Sequence, residues 1–198
     1  MMLAVGDVRS VSQLRELVDA GGRPKYLMFW GHRPPAGGGA GKGCLSQWWP
    51  APFIVDGVVY PTAEHFMMAG KVLVFGDVET AEQVARAPHP GAAKALGRQV
   101  RGFDEQMWAQ QRFGIVVTGN LAKFSQHPEL GRFLLATGER VLVEASPRDR
   151  VWGIGLTADD ERAASPHTWR GLNLLGFALM EVRYRLKDTA LQASPPPG

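Results

Sequence analysis

Apolar and polar positions alternate along the chain in two rhythms, and their switches predict the elements. Between Val11 and Ala20 the apolar residues Leu14, Leu17 and Val18 recur at helical spacing. They predict a short amphipathic helix that Gly21-Gly22 ends. Lys25 to Trp30 is an apolar, aromatic run of strand length. Phe53 to Tyr60 reads as a hairpin, with Asp56-Gly57 as the turn between Ile54-Val55 and Val58-Val59. Helical patterns then follow one another. Thr62 caps a helix to about Phe75, and others cover Val78–Arg86, Pro90–Val100, Asp104–Phe124 (with a break expected near Gly119), Pro128–Ala136 and Leu172–Leu186. Arg140–Ala145 alternates as a strand, and the turn-rich stretch Ser146–Gly155 follows it. The glycine-rich stretch Pro34–Gly43 reads as a mobile loop, and Lys187–Gly198, ending Ser-Pro-Pro-Pro-Gly, as a disordered tail. No internal repeat is present. Helices dominate and the strands are few, short and irregularly spaced, so the fold class expected is mainly α with a few short β-strands, in a single domain.

Composition narrows the function without choosing it. The 198 residues are 45% hydrophobic and 21% charged, ordinary for a globular protein. No run of about 18 apolar residues occurs, so no membrane partner is expected. Met1–Ser10 lacks the basic-then-apolar pattern of a signal peptide. A single cysteine, Cys44, excludes an internal disulfide. These features favour the cytoplasm. The net charge of +3 comes from scattered basic residues rather than a concentrated nucleic-acid-binding face. It fits either an unremarkable surface or an anionic small substrate.

Several motifs invite chemistry, and some fail. A phosphate loop built on Gly41-Lys42 needs Gly at position 36 and a hydroxyl after the lysine; the chain has Ala36 and Gly43. The five histidines, His32, His65, His89, His127 and His167, are far apart and Cys44 has no partner thiol, so no metal is expected. Cys44 itself reads as a small buried residue. On the helix that Thr62 opens, Glu64 and Lys71 lie on nearly one face, about 10 Å apart along the axis, with Met68 between them. That strip suits a ring beside an anionic group, but it suits a solvated helix face at least as well. Glu64 also sits where the helix dipole favours any carboxylate. Tryptophans cluster in turn-rich contexts, where they stack on bases or cap a core. Ser146–Gly155 gathers Asp149, Arg148, Arg150 and Trp152; Asp149 there either serves a site or caps a turn beside an arginine. Arg112, Asn120 and Lys123 add polar groups along one helix.

Taken in order, these segments resemble the YbiA-like NADAR family. The matching pieces are Phe29-Trp30; Leu45-Ser46-Gln47-Trp48-Trp49-Pro50 with Phe53; Tyr60-Pro-Thr-Ala-Glu64-His65-Phe66-Met67 with Lys71; Ala93-Lys94 with Gly97-Arg98; Trp108 with Arg112; Lys123-Phe124; Leu142-Val143-Glu144; Asp149 with Trp152-Gly153; and Gly171-Leu172-Asn173-Leu174-Leu175-Gly176. The resemblance covers about Tyr26 to Leu186. It implies a NADAR domain over 25–186, preceded by a helical extension over 1–24 and followed by the tail over 187–198. It also implies N-glycosidase chemistry: hydrolysis of ribosylamino-pyrimidine phosphates of riboflavin biosynthesis in one branch, removal of ADP-ribose from guanine bases in another. A non-catalytic module binding NAD or ADP-ribose is the alternative of another class.

By the same resemblance Glu64 and Asp149 are catalytic candidates, with Lys71 as a further one. Phe29, Trp30, Ser46, Trp108, Arg112, Trp152 and Asn173 are candidates for binding substrate. Glu64 would stabilise positive charge at the anomeric carbon or activate water, and Asp149 would hold ribose hydroxyls or act as a second carboxylate. Trp108 or Trp152 would stack on the departing base, and Arg112 or Lys71 would meet phosphate. In an alternative, Lys71 attacks the opened sugar as an imine, which needs a depressed lysine pKa. No cofactor is required, and nucleic acid is a partner only in the second branch. The Gly37–Gly43 insertion departs from shorter examples of the family.

Overall fold

The computed structural model describes residues 4–193. Seven α-helices and four short strands make the chain mainly helical among these residues. It forms two compact units: one runs to Leu45 and resumes at Glu129, the other is Ser46–Pro128.

In the discontinuous unit, α1 (Val11–Asp19) starts where the Ser10 hydroxyl accepts from the Gln13 N–H, a side-chain cap. It buries Leu14 and Leu17, while Val18 is only half-buried. Strand β1 (Tyr26–Phe29) pairs in parallel with β4 (Val141–Glu144), in the register Tyr26↔Val141 to Phe29↔Glu144. Helix α6 (Pro128–Ala136) begins on proline, whose missing N–H is harmless in a first turn. Helix α7 (Leu174–Ala193) lies against β4 and buries Leu175, Phe177, Ala178 and Leu179 completely or nearly so. This helix corrects one expectation. Lys187–Ala193 is helical rather than disordered, because Lys187, Ala190, Leu191, Gln192 and Ala193 are helix formers and no Gly or Pro intervenes before Pro195. The rest of the expected tail, 194–198, lies outside the described residues. The glycine-rich loop ends in a 3-10 turn at Lys42–Leu45, where Cys44 is fully buried.

The continuous unit opens with the hairpin of β2 (Phe53–Val55) and β3 (Val58–Tyr60). Asp56 and Gly57 both take positive φ, at 50° and 78°. That is the two-residue turn whose twist matches a hairpin, and the reason for Asp-Gly at this point. Helix α2 (Ala63–Val74) packs on α3 (Val78–Ala85), α4 (Pro90–Arg98) and α5 (Glu105–Gln126). Helix α5 runs unbroken through Gly119. The glycine is there for packing: a Cβ would overlap the Phe66 ring. Gly97 likewise lets α4 approach Met68 of α2. No helix among the described residues is long and apolar enough to cross a membrane.

Candidate active site

In the continuous unit the candidate groups gather around α2. Thr62 caps that helix, its hydroxyl 3.4 Å from the His65 N–H. The His65 ring is fully buried, with Nδ1 2.8 Å from the Thr62 hydroxyl and Nε2 3.1 Å from the Ala87 carbonyl. A ring nitrogen facing a carbonyl must carry the proton, so Nε2–H donates to Ala87 and Nδ1 accepts from Thr62. Burial, foremost, holds the His65 pKa below the ordinary value; the Ala87 bond opposes this and nearby His89 adds to it. The cap fixes Glu64 in the first turn. Its N–H donates to the Gln47 carbonyl at 2.9 Å, and its carboxylate, 2% exposed, lies 3.9 Å from the Lys94 ammonium on α4. Burying a carboxylate costs several kcal/mol, on the order of what a close cation and a helix N-terminus together offset. The solvated-face reading of Glu64 is thereby set aside.

The strip before the hairpin is pinned from two sides. Ser46 uses its hydroxyl to accept from the Trp48 N–H at 3.1 Å, and its carbonyl accepts from the fully buried Lys123 ammonium on α5 at 3.0 Å. At the other end of α2, Lys71 is half-buried with its ammonium 4.5 Å from the centre of the Phe103 ring. Burial lowers its pKa, Arg98 lowers it further, and Glu105 opposes both. Arg112 pairs with the same Glu105 at 3.1 Å. Trp108, one turn earlier on α5, is buried. Arg112 is thus ion-paired with an exposed carboxylate, and the Lys71 ammonium lies over an aromatic ring.

In the discontinuous unit the second set of candidates lies on the loop after β4. Asp149 is half-buried, and its Oδ1 accepts from the Val151 and Trp152 N–H groups at 2.9 and 2.7 Å. Its turn-capping reading is therefore correct for that oxygen, and no arginine is ion-paired with it among the described residues. Gly153 has no room for a Cβ, which would come within 2.8 Å of the Glu144 carbonyl. Asn173 is fully buried with φ of 52°. Its Oδ1 accepts from Glu144 N–H and its Nδ2 donates to the Leu142 carbonyl, both at 2.9 Å. The carboxamide is thus occupied by the edge of β4. Phe29 is buried as part of the core, whereas Trp30 is 65% exposed. Trp30 lines a cavity of about 450 Å³ with Ala145, Thr157 and Asp159. Trp152 is half-buried beside Asp149.

Thus Glu64, Lys71, Ser46, Trp108 and Arg112 belong to one unit, and Phe29, Trp30, Asp149, Trp152 and Asn173 to the other. Sequence spacing does not reveal the approach of Lys94 to Glu64, because thirty residues separate them and no periodicity links them. Among the described residues, no three His, Cys, Asp or Glu side chains group to hold a metal ion.

The model of the NADAR domain family matches residues 28–187, spanning parts of both units. N-glycosidase R617 of Acanthamoeba polyphaga mimivirus is 42% identical over 164 residues, 80% of this chain and 95% of that protein. Riboflavin biosynthesis protein VVA0006 of Vibrio vulnificus is 33% identical over 148 residues, 75% of this chain but 36% of that longer protein. The solution structure of YbiA from Escherichia coli superposes with a TM-score of 0.70 at 28% identity, covering 89% of this chain and 93% of that one.

Proposed function

The chain belongs to the NADAR domain family and is a hydrolase acting on N-glycosyl bonds; on that premise we propose that its substrates are ribosylamino-pyrimidine phosphates of riboflavin biosynthesis. The observation that carries this is Glu64: a carboxylate buried at a helix N-terminus, 3.9 Å from a lysine, in a family of N-glycosidases. Water adds its oxygen to the anomeric carbon as the bond to the base nitrogen breaks. The bonding pair leaves with that nitrogen, which takes up a proton. Positive charge grows on the ribose as this happens, and Glu64 faces it or draws the proton from the water. Lys71 and Arg112 meet the phosphate, and Trp108 stacks on the base. We keep Asp149 and Trp152, on the loop after β4, as candidates named by the motif resemblance alone. The relative named for riboflavin biosynthesis supports this substrate class.

Two substrates compared side by side test the reading: a ribosylamino-pyrimidine phosphate and an oligonucleotide carrying ADP-ribosylated guanine, with products followed by mass spectrometry. Release of ribose 5-phosphate from the first is expected. Release of ADP-ribose from the second alone would move the protein to nucleic-acid repair, and turnover of neither would overturn the substrate proposal.

A further inference from the structure

Gln47 is a polar side chain built into the continuous unit with nothing in that fold to satisfy it. It is 6% exposed, and neither Nε2 nor Oε1 has a hydrogen-bond partner among the described residues. The backbone around it is held rigidly. The preceding carbonyl, of Ser46, accepts from Lys123, and its own carbonyl accepts from the Glu64 N–H. A second orphan lies on the α5 face that carries Lys123: Asn120, one turn earlier, is fully buried, donates to the Val116 carbonyl and leaves its Oδ1 without a partner. A buried amide left unpartnered is costly, so natural folds keep such groups where a ligand completes them.

We infer that Gln47 is a further substrate-contacting residue, its carboxamide pairing with a substrate group that offers a hydrogen-bond acceptor beside a donor. This deepens the substrate reading above and rests on it. Gln47 is bound by its own backbone to Glu64, so the group it reads lies near the anomeric centre. Two parts of such a substrate have the required chemistry: the lactam edge of the base and the vicinal hydroxyls of the ribose. A carboxamide donates to one atom and accepts from its neighbour in either case.

The variant Gln47→Leu tests this. It keeps the volume and removes both polar atoms, so the unliganded protein is expected to melt at the wild-type temperature or above. Its kcat/KM is expected to fall at least about tenfold, because a site built to hydrogen-bond a substrate discriminates strongly when that bond is lost. Calorimetric titration with the free aminopyrimidinone base and, separately, with ribose 5-phosphate locates the contact. Weakened binding of the base alone supports the lactam edge, and of the sugar phosphate alone the ribose hydroxyls. Unchanged kcat/KM and unchanged binding of both would overturn the inference, as would a lowered melting temperature with intact kcat/KM, the mark of a structural amide. Should the leucine variant not fold, the same titrations on Gln47→Met decide. A wild-type protein that binds these products without cleaving the substrate overturns the substrate reading while the titrations still judge Gln47. One that binds neither overturns both.

Discussion

Replacing Asn173 separates a residue that supports the strand from one that touches a ligand. Its carboxamide makes two hydrogen bonds of 2.9 Å to the backbone of β4, at Glu144 and Leu142, and the side chain is wholly buried. Asn173→Gly removes both bonds and strands one donor and one acceptor, at about 1–3 kcal/mol each, so a loss of roughly 2–6 kcal/mol is expected. Glycine accepts the positive φ of 52° freely. Asn173→Ala adds the left-handed penalty of a Cβ, roughly 1–2 kcal/mol more. Against a total stability of about 5–15 kcal/mol these are large effects. For a chain of this length they lower the melting temperature by roughly 5–20 °C, with alanine worse than glycine. Thermal and urea melts followed by circular dichroism measure this. The activity of whatever folded protein remains should change less than its stability does. A glycine variant within about 1 kcal/mol of wild type but with kcat/KM down more than tenfold would instead show that Asn173 touches the ligand.

Other expectations concern the continuous unit. The folded-state pKa of His65 lies below its ordinary 6.5, so the unfolded chain binds the extra proton between those two values. Its contribution is fully present above pH 6.5 and is lost as pH falls through that window, at up to about 1.4 kcal/mol per pH unit. Urea midpoints across that range should fall in wild type and flatten in His65→Gln; equal slopes would contradict the buried neutral ring. Lys71 follows the same sign, its pKa being lowered by burial first, so its charge destabilises the fold until pH rises through the window that ends at 10.5. Titrating its ammonium by NMR should give a midpoint below that of free lysine, and a midpoint at or above it would remove the basis for an imine role. Gly119→Ala gains helix propensity of about 1 kcal/mol but forces a Cβ into the Phe66 ring, at about 1–3 kcal/mol. A lower melting temperature is expected, and a higher one would show that the ring moves aside without cost.

Local chemistry made much of the fold legible. Asp56-Gly57 announced the hairpin because few other pairs take positive φ twice, and Thr62 announced the start of α2 because a hydroxyl there satisfies a free N–H. What local pattern could not carry was pairing across distance. β1 and β4 are joined in parallel with Tyr26 opposite Val141, and no turn signal links them. Gly119 looked like a break because glycine weakens a helix, yet its role is to admit Phe66. The candidate site divides the same way. Glu64 was readable from its motif, but spacing alone favoured a solvated helix face, and its burial beside Lys94 depends on how α2 meets α4. The sequence around Asp149 suits either a site or a turn cap, and the loop geometry supports the turn for one of its oxygens. The unmet amide of Gln47 left no trace in sequence, because satisfaction of a polar group is a property of its neighbours.

The proposed role of Glu64 in cleaving the N-glycosyl bond is tested first by Glu64→Gln, assayed on the ribosylamino-pyrimidine phosphate. The substitution keeps the shape of the side chain and removes its charge. A folded protein is expected whose kcat for ribose 5-phosphate release is at least about a hundredfold below wild type, the scale of one acid–base group. Turnover within a few-fold of wild type would contradict it.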